Sequence, residues 1–255
     1  MPAPFNALPQ RAGLEQLIYQ MYIESMSDAI SQEFDLPSLS VRVYEELKRR
    51  LNEGTLKPGQ FIDLSALGRE LGMSRTPLRD ALIRLELEGF VTVYPRRGVM
   101  VRALDLADIR DIYQTVGALE GAVAAKAAER FAGEDADRMR ELCESMSAAL
   151  AADDFDTYYA GNLAFHDVYL DLSDNADLVR TVRVFKERLY DFPRRSAYVK
   201  EWELASNKEH EEIEARFRAL DFDGAAAYIR DVHWNYEVQE RYIRWYYFAM
   251  GTAGR

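Results

Sequence analysis

The stretch Leu64 to Phe90, LSALGRELGMSRTPLRDALIRLELEGF, constrains the fold more than any other, because its spacing describes two helices joined by a tight turn. Leu64, Leu67 and Leu71 recur at helical spacing, and Gly72 ends the first helix as a residue that tolerates positive φ. Ser74 is expected to cap the second helix. Pro77 falls in its first turn, where a missing N–H does no harm, and Leu78, Ala81, Leu82 and Leu85 supply its buried face. A short helix, a turn with Gly and a longer helix make a helix-turn-helix. Arg75, Thr76 and Arg79 lie near the N-terminus of the second helix, the end that such motifs push into the major groove.

The flanks extend this unit. Val41 to Leu51 places Val43, Tyr44, Leu47 and Leu51 on one stripe, which predicts an amphipathic helix with Lys48, Arg49 and Arg50 on a basic exposed face. Gly54 and the pair Pro58-Gly59 break it. After Gly89, Val91, Val93 and Tyr94 predict a strand, Pro95 to Gly98 a turn, and Val99 to Arg102 the returning strand, so that Arg96 and Arg97 tip a two-stranded wing. Any single exposed Arg is usually only a solvated charge. The distribution argues otherwise: residues 41–102 hold 12 Lys or Arg against 8 Asp or Glu, while the remainder holds 20 against 35. An acidic chain that keeps its positive charge in one module has the electrostatic footprint of a DNA-binding unit attached to a domain with another task.

The string LGMSRTPLRDALIRLELEGFV, preceded by GTLKPGQFI and followed by Arg-Arg-Gly, resembles the DNA-binding domain of the GntR family of bacterial transcription regulators. The resemblance implies DNA contacts from Ser65, Arg75, Thr76 and Arg79 and, at the wing tip, from Arg97 and Gly98. Met73 stands where family members more often carry a β-branched residue, a difference expected to affect packing alone.

At 255 residues, 48 % hydrophobic and 29 % charged, the chain has room for two ordinary globular domains. Its single cysteine, Cys143, excludes an internal disulfide and reads as a small buried filler. No apolar run reaches membrane-spanning length and MPAPFNALPQ lacks the order of a signal peptide, so a cytoplasmic protein is expected. Residues 1–38 are read as a tail of about a dozen residues followed by an extra amphipathic helix over 14–30, expected to pack on its own domain; 39–103 as the winged helix; and 104–248 as an all-α domain. The fold class is therefore mainly α, a winged helix with a small two-stranded wing followed by an antiparallel helical bundle.

In the bundle, Asp105 is placed to cap a helix over 106–131, and further helices are expected at 134–151, 154–171, 174–191, 198–219 and 222–248, with Gly224 as the break before the last. Residues 105–240 resemble the ligand-binding FCD domain of the FadR-type subgroup of GntR regulators. That resemblance is carried by NLAFHDVYL at Asn162 to Leu170, EHEEI at Glu209 to Ile213 and the late helix with His233.

All three histidines of the chain, His166, His210 and His233, fall on these helices, and Asn162 shares a face with His166. Three imidazoles from three helices can form an incomplete coordination sphere, although dispersed histidines are also common as hydrogen-bonded core residues. Metal-binding FCD domains use an Asp or Asn four residues before a His and then two later His. The resemblance therefore implies a divalent transition metal (zinc, nickel or manganese) on Asn162, His166, His210 and His233, with a small carboxylate effector at its open positions. Relatives often carry Arg four residues before the Glu equivalent to Glu120; here Val116 stands there, and Arg180 or Arg183 are the candidate replacements for that anion contact.

The leading function is a ligand-responsive regulator, with repression as the expected sign, that binds a palindromic operator as a homodimer and is not an enzyme. The alternative is a metal-dependent all-α hydrolase using His166-Asp167 with Glu209 or Glu211 as base. Trp234, Tyr242, Trp245 and Tyr246 are read as core or dimer-interface packing.

Overall fold

A computed structural model describes residues 38–190 and 199–249. The helix expected over 14–30 lies outside the described residues.

The first described helix, α1 (Leu39–Asn52), buries Val43, Tyr44, Leu47 and Leu51, as its periodicity requires. Its basic face is not the open one that the sequence suggests. Lys48 is buried, Arg49 pairs with Glu46 and Glu53, and Arg50 pairs with Glu46 and with Glu70 of the next helix, so these three cations are not left as an open basic face. A short strand β1 (Phe61–Ile62) precedes α2 (Leu64–Leu71), which Asp63 caps through Ser65 N and Ala66 N. Gly72 closes α2 at φ 62°, the left-handed conformation that lets the chain turn directly into α3 (Arg75–Leu87). Ser74 occupies the N-cap of α3 in extended geometry, but its side chain makes no capping hydrogen bond, contrary to expectation.

The wing is formed by β2 (Val91–Tyr94) and β3 (Gly98–Val101), paired antiparallel with Val91 opposite Val101. Arg96, at φ 64°, turns the corner. The sheet has three strands rather than two, in the order β1-β3-β2, because Phe61 and Ile62 pair with Met100 and Val99 on the free edge of β3. Leu47, Leu67, Leu78, Leu85, Phe90 and Val101 join these elements in one core.

Asp105 and Asp108 form a capping box that starts α4 (Leu106–Lys126), the central helix of the second domain. Against it pack α6 (Phe155–Leu170), α7 (Ala176–Tyr190) and the last helical segment, while α5 (Gly133–Ala151) packs between α6 and α8 (Lys200–Arg218). The break before the last helical segment falls at Leu220 (φ 59°) and Asp221, not at Gly224. Gly224 lies inside the first turn, where its N–H donates to Asp221. The expected continuous helix over 222–248 is divided. It comprises α9 (Phe222–Tyr228), a π-helical turn over Ile229–His233, a break at Trp234, and α10 (Tyr236–Arg244) capped by Asn235. Among the described residues no helix is long and apolar enough to cross a membrane.

A histidine centre and a basic groove

Helix α6 contributes Asn162 and His166, α8 contributes His210, and the π turn contributes His233; all four are buried. His166 Nε2 lies 3.3 Å from His210 Nε2 and 3.3 Å from His233 Nε2, so the three ring nitrogens converge on one point. The two outer ring nitrogens are held from behind. Glu120 Oε2 on α4 faces His166 Nδ1 at 2.9 Å, and Glu209 Oε2 faces His233 Nδ1 at 2.8 Å. A carboxylate takes the Nδ1–H of each imidazole, which leaves a bare lone pair on each Nε2. A proton on His210 Nε2 can satisfy the lone pair of His166, which leaves the lone pair of His233 directed at His166 Nε2 with no donor there. A cation resolves that opposition.

Glu120 has no exposed surface and is held from four sides. Besides His166, it accepts hydrogen bonds from Tyr169 Oη (2.6 Å), Trp234 Nε1 (2.7 Å) and Lys186 Nζ (3.2 Å). Burial alone raises a carboxyl pKa; here the charges of His166 and Lys186 and the hydrogen bonds from His166 and Tyr169 outweigh it and hold Glu120 below the ordinary range. Burial pushes the His166 imidazolium down to about 4, against the opposing pull of Glu120, and burial takes His210 well below its ordinary value too. Neutral imidazole is the form that ligates a metal.

Trp234 reaches Glu120 because α4 is smooth where it passes: a Cβ on Gly117 would stand 2.9 Å from Trp234 Cβ. The π turn does the rest, since the extra backbone per turn and the break after it direct two consecutive side chains, His233 and Trp234, inward. Such turns recur at functional sites. Asn162 completes the ring of polar groups. Its Oδ1 is buried without a hydrogen-bond partner among the described residues, as is His210 Nδ1, and an orphaned buried oxygen four residues before a converging His fits a ligand atom. The donor set of three imidazole nitrogens, with a buried unpartnered amide oxygen one turn before His166, suits a borderline divalent transition metal. A small cavity of about 60 Å³ opens beside it, lined by Asn162, His233, Trp234, Tyr113, Tyr158 and Trp202 among others.

Several sequence expectations change here. Arg183 is committed to Asp167 (3.1 Å) and Asp171 (2.6 Å) on the outer face, and Arg180 to Asp177, so neither replaces the missing arginine at position 116. The cation near the centre is Lys186. A lysine in register with Val182 and Leu189 on the apolar stripe of its helix was the signal that could have revealed it. The hydrolase constellation does not assemble. Asp167 points outward to Arg183, and both oxygens of Glu209 are engaged, one by His233 and one by Gln239 Nε2 at 2.9 Å. Trp234 is a hydrogen-bond donor to Glu120 as well as packing.

In the first domain, Ser65, Arg75, Arg79, Arg96 and Gly98 line one open groove of about 990 Å³ between α2, α3 and the wing. Thr76 is exposed on α3 beside it, and Arg97 is exposed at the wing tip, about 6 Å from the rings of Phe61 and Tyr94. None of Arg75, Arg79, Arg96 and Arg97 is taken up in an ion pair with another described residue, unlike Arg49 and Arg50 of α1. The unneutralised positive charge of the domain is therefore concentrated on the recognition helix and wing.

Residues 39–101 match the profile of the bacterial regulatory proteins of the gntR family, and residues 111–233 match the FCD domain. Over 127 residues the chain is 35% identical to an uncharacterized HTH-type transcriptional regulator from the TAR-I ttuE-ttuC' intergenic region of Agrobacterium vitis, covering 49% of this chain and 74% of that one. It is 32% identical over 138 residues to the Nta operon transcriptional regulator of Aminobacter aminovorans, covering 52% of this chain and 63% of that one. It is 31% identical over 128 residues to the HTH-type transcriptional regulator McbR of Escherichia coli, covering 50% and 58%. Among solved structures, E. coli McbR/YncC superposes with a TM-score of 0.63 at 24% identity over 82% of this chain and 96% of that one. A GntR regulator from Rhodococcus sp. RHA1 does so with a TM-score of 0.57 at 20% identity over 86% and 100%. Both likenesses are of fold.

Proposed function

The chain belongs to the GntR family of bacterial transcription regulators and carries an FCD domain, and from that premise we propose that it is a metal-dependent, effector-responsive repressor. In this reading it binds a palindromic operator as a homodimer, since a two-fold pair of winged helices matches two half-sites. Arg75, Thr76 and Arg79 read base edges, Ser65 positions the backbone, and Arg97 and Gly98 hold the wing on the flanking strand. The exposed, unpaired arginines of the groove support this assignment. Selection of duplexes from a random library by the purified protein tests it. An enriched inverted repeat, lost with Arg79→Ala, is the expected result, and enrichment without dyad symmetry contradicts the dimeric operator.

The observation that carries the metal-dependent part is the convergence of three imidazole rings on one point, two of them held at Nδ1 by carboxylates behind. His166, His210 and His233 would hold the metal, with Asn162 Oδ1 as the fourth protein ligand. An imidazole-dominated set favours zinc or nickel over manganese, which prefers carboxylates. The metal supplies an electrophilic anchor for a small carboxylate effector. This chain's residues orient it: Trp234 and Tyr113 wall the cavity, and Glu120 and Glu209 fix the imidazoles. Zinc added to metal-free protein is expected to raise the thermal midpoint of the wild type and to leave a His166→Ala, His210→Ala variant unchanged. An equal response from both would remove the histidines from the site.

A further inference from the structure

Five consecutive residues near the end of α7 touch three different parts of the molecule. Val184 packs against the winged-helix core and Phe185 against the bundle core. Lys186 donates to Glu120, the carboxylate that holds His166. Glu187 pairs with Lys48 of α1, whose ammonium also lies 3.9 Å above the Phe90 ring. Arg188 is buried with its guanidinium against Gly89, in the turn between recognition helix and wing: a Cβ there would stand 2.9 Å from Arg188 Cζ. Positions 184, 187 and 188 have i, i+3, i+4 spacing, so one face of α7 grips the DNA-binding domain, while Val182, Phe185, Lys186 and Leu189 face the bundle.

We infer that α7 is the element through which occupancy of the histidine centre biases the winged helix, with Lys186 as the positioning residue on its bundle face and Arg188 on the face toward the winged helix. This rests on the metal reading above. The physical link is competition for one carboxylate. Without a cation on the imidazoles, Lys186 is the charged partner of Glu120. A dication on His166 Nε2 draws the Glu120 charge toward His166 and repels the nearby ammonium, whose field already reaches His166 and His210. Lys186 is buried, so its ammonium cannot turn from Glu120 to solvent without movement of the helix that carries it. The result is a displacement of the helix that carries Arg188 along Gly89. Packed elements of this kind shift between discrete arrangements rather than deform continuously.

The test measures zinc affinity and stoichiometry, and the affinity for a duplex selected by the metal-free protein, in the full chain with and without zinc. The wild type is expected to change duplex affinity about fivefold or more on zinc binding, and the duplex to change zinc affinity by the same factor. Arg188→Met is expected to keep zinc stoichiometry and affinity in the absence of DNA while the duplex-affinity ratio falls to about one. Lys186→Met is expected to collapse the same ratio and to bind zinc more tightly, because the competing charge is gone; a merely structural role would not raise zinc affinity. Zinc bound by the wild type with the ratio retained in both variants overturns the α7 linkage alone. A wild type that binds no zinc overturns the metal reading and the linkage with it.

Discussion

At the scale of single residues, the centre depends as much on what stands behind the histidines as on the histidines themselves. Glu120→Gln keeps the shape but removes the charge that orients His166 and balances Lys186. It is expected to weaken zinc binding about 10- to 100-fold, read by competition with a chromophoric chelator; unchanged affinity would make Glu120 a packing residue. Cys143, pushed up to about 12 by burial, is almost entirely thiol at neutral pH. Its alkylation by iodoacetamide should therefore follow global unfolding, and rapid labelling of the folded protein would contradict the packing of α5. The three histidines stood out because the sequence has no others, and their grouping with Asn162 came from the resemblance to metal-binding FCD domains, not from spacing. Lys186 and the role of Glu209 were not legible, because a charged residue on a helix reads as solvated until its neighbours in space are known.

At the scale of elements, periodicity placed most helices to within a residue or two because each buries one continuous stripe. It failed where local geometry departs from 3.6 residues per turn. The π turn over Ile229–His233 has no compositional mark, and the two-residue β1 is too short to alternate, existing only because the edge of β3 is there to pair with. Asn235 marks the division, since its side chain caps α10 through Glu237 N and Val238 N. Asn235→Ala is expected to cost about 1 kcal/mol of stability, seen as a lower denaturant midpoint with unchanged slope. No loss would mean that α10 does not depend on the cap that separates it from the π turn.

At the scale of the whole molecule, the charge asymmetry of the sequence becomes a division of labour. Arg49 and Arg50 of α1 are neutralised by Glu46, Glu53 and Glu70, while Arg75, Arg79 and Arg96, in no ion pair with another described residue, line the groove. Arg75→Ala and Arg79→Ala are each expected to weaken specific operator binding by about 1–3 kcal/mol, measured at fixed salt; binding as tight as wild type would mean that α3 is not the reading helix. In the proposed reading the FCD domain is built around a metal. Elemental analysis of untagged wild-type protein after metal reloading, beside the His166→Ala, His210→Ala variant at matched concentration, addresses it directly. About one zinc or nickel per wild-type chain and none in the variant is the predicted result. A wild type that retains no metal, or a variant that retains as much as wild type, would contradict it.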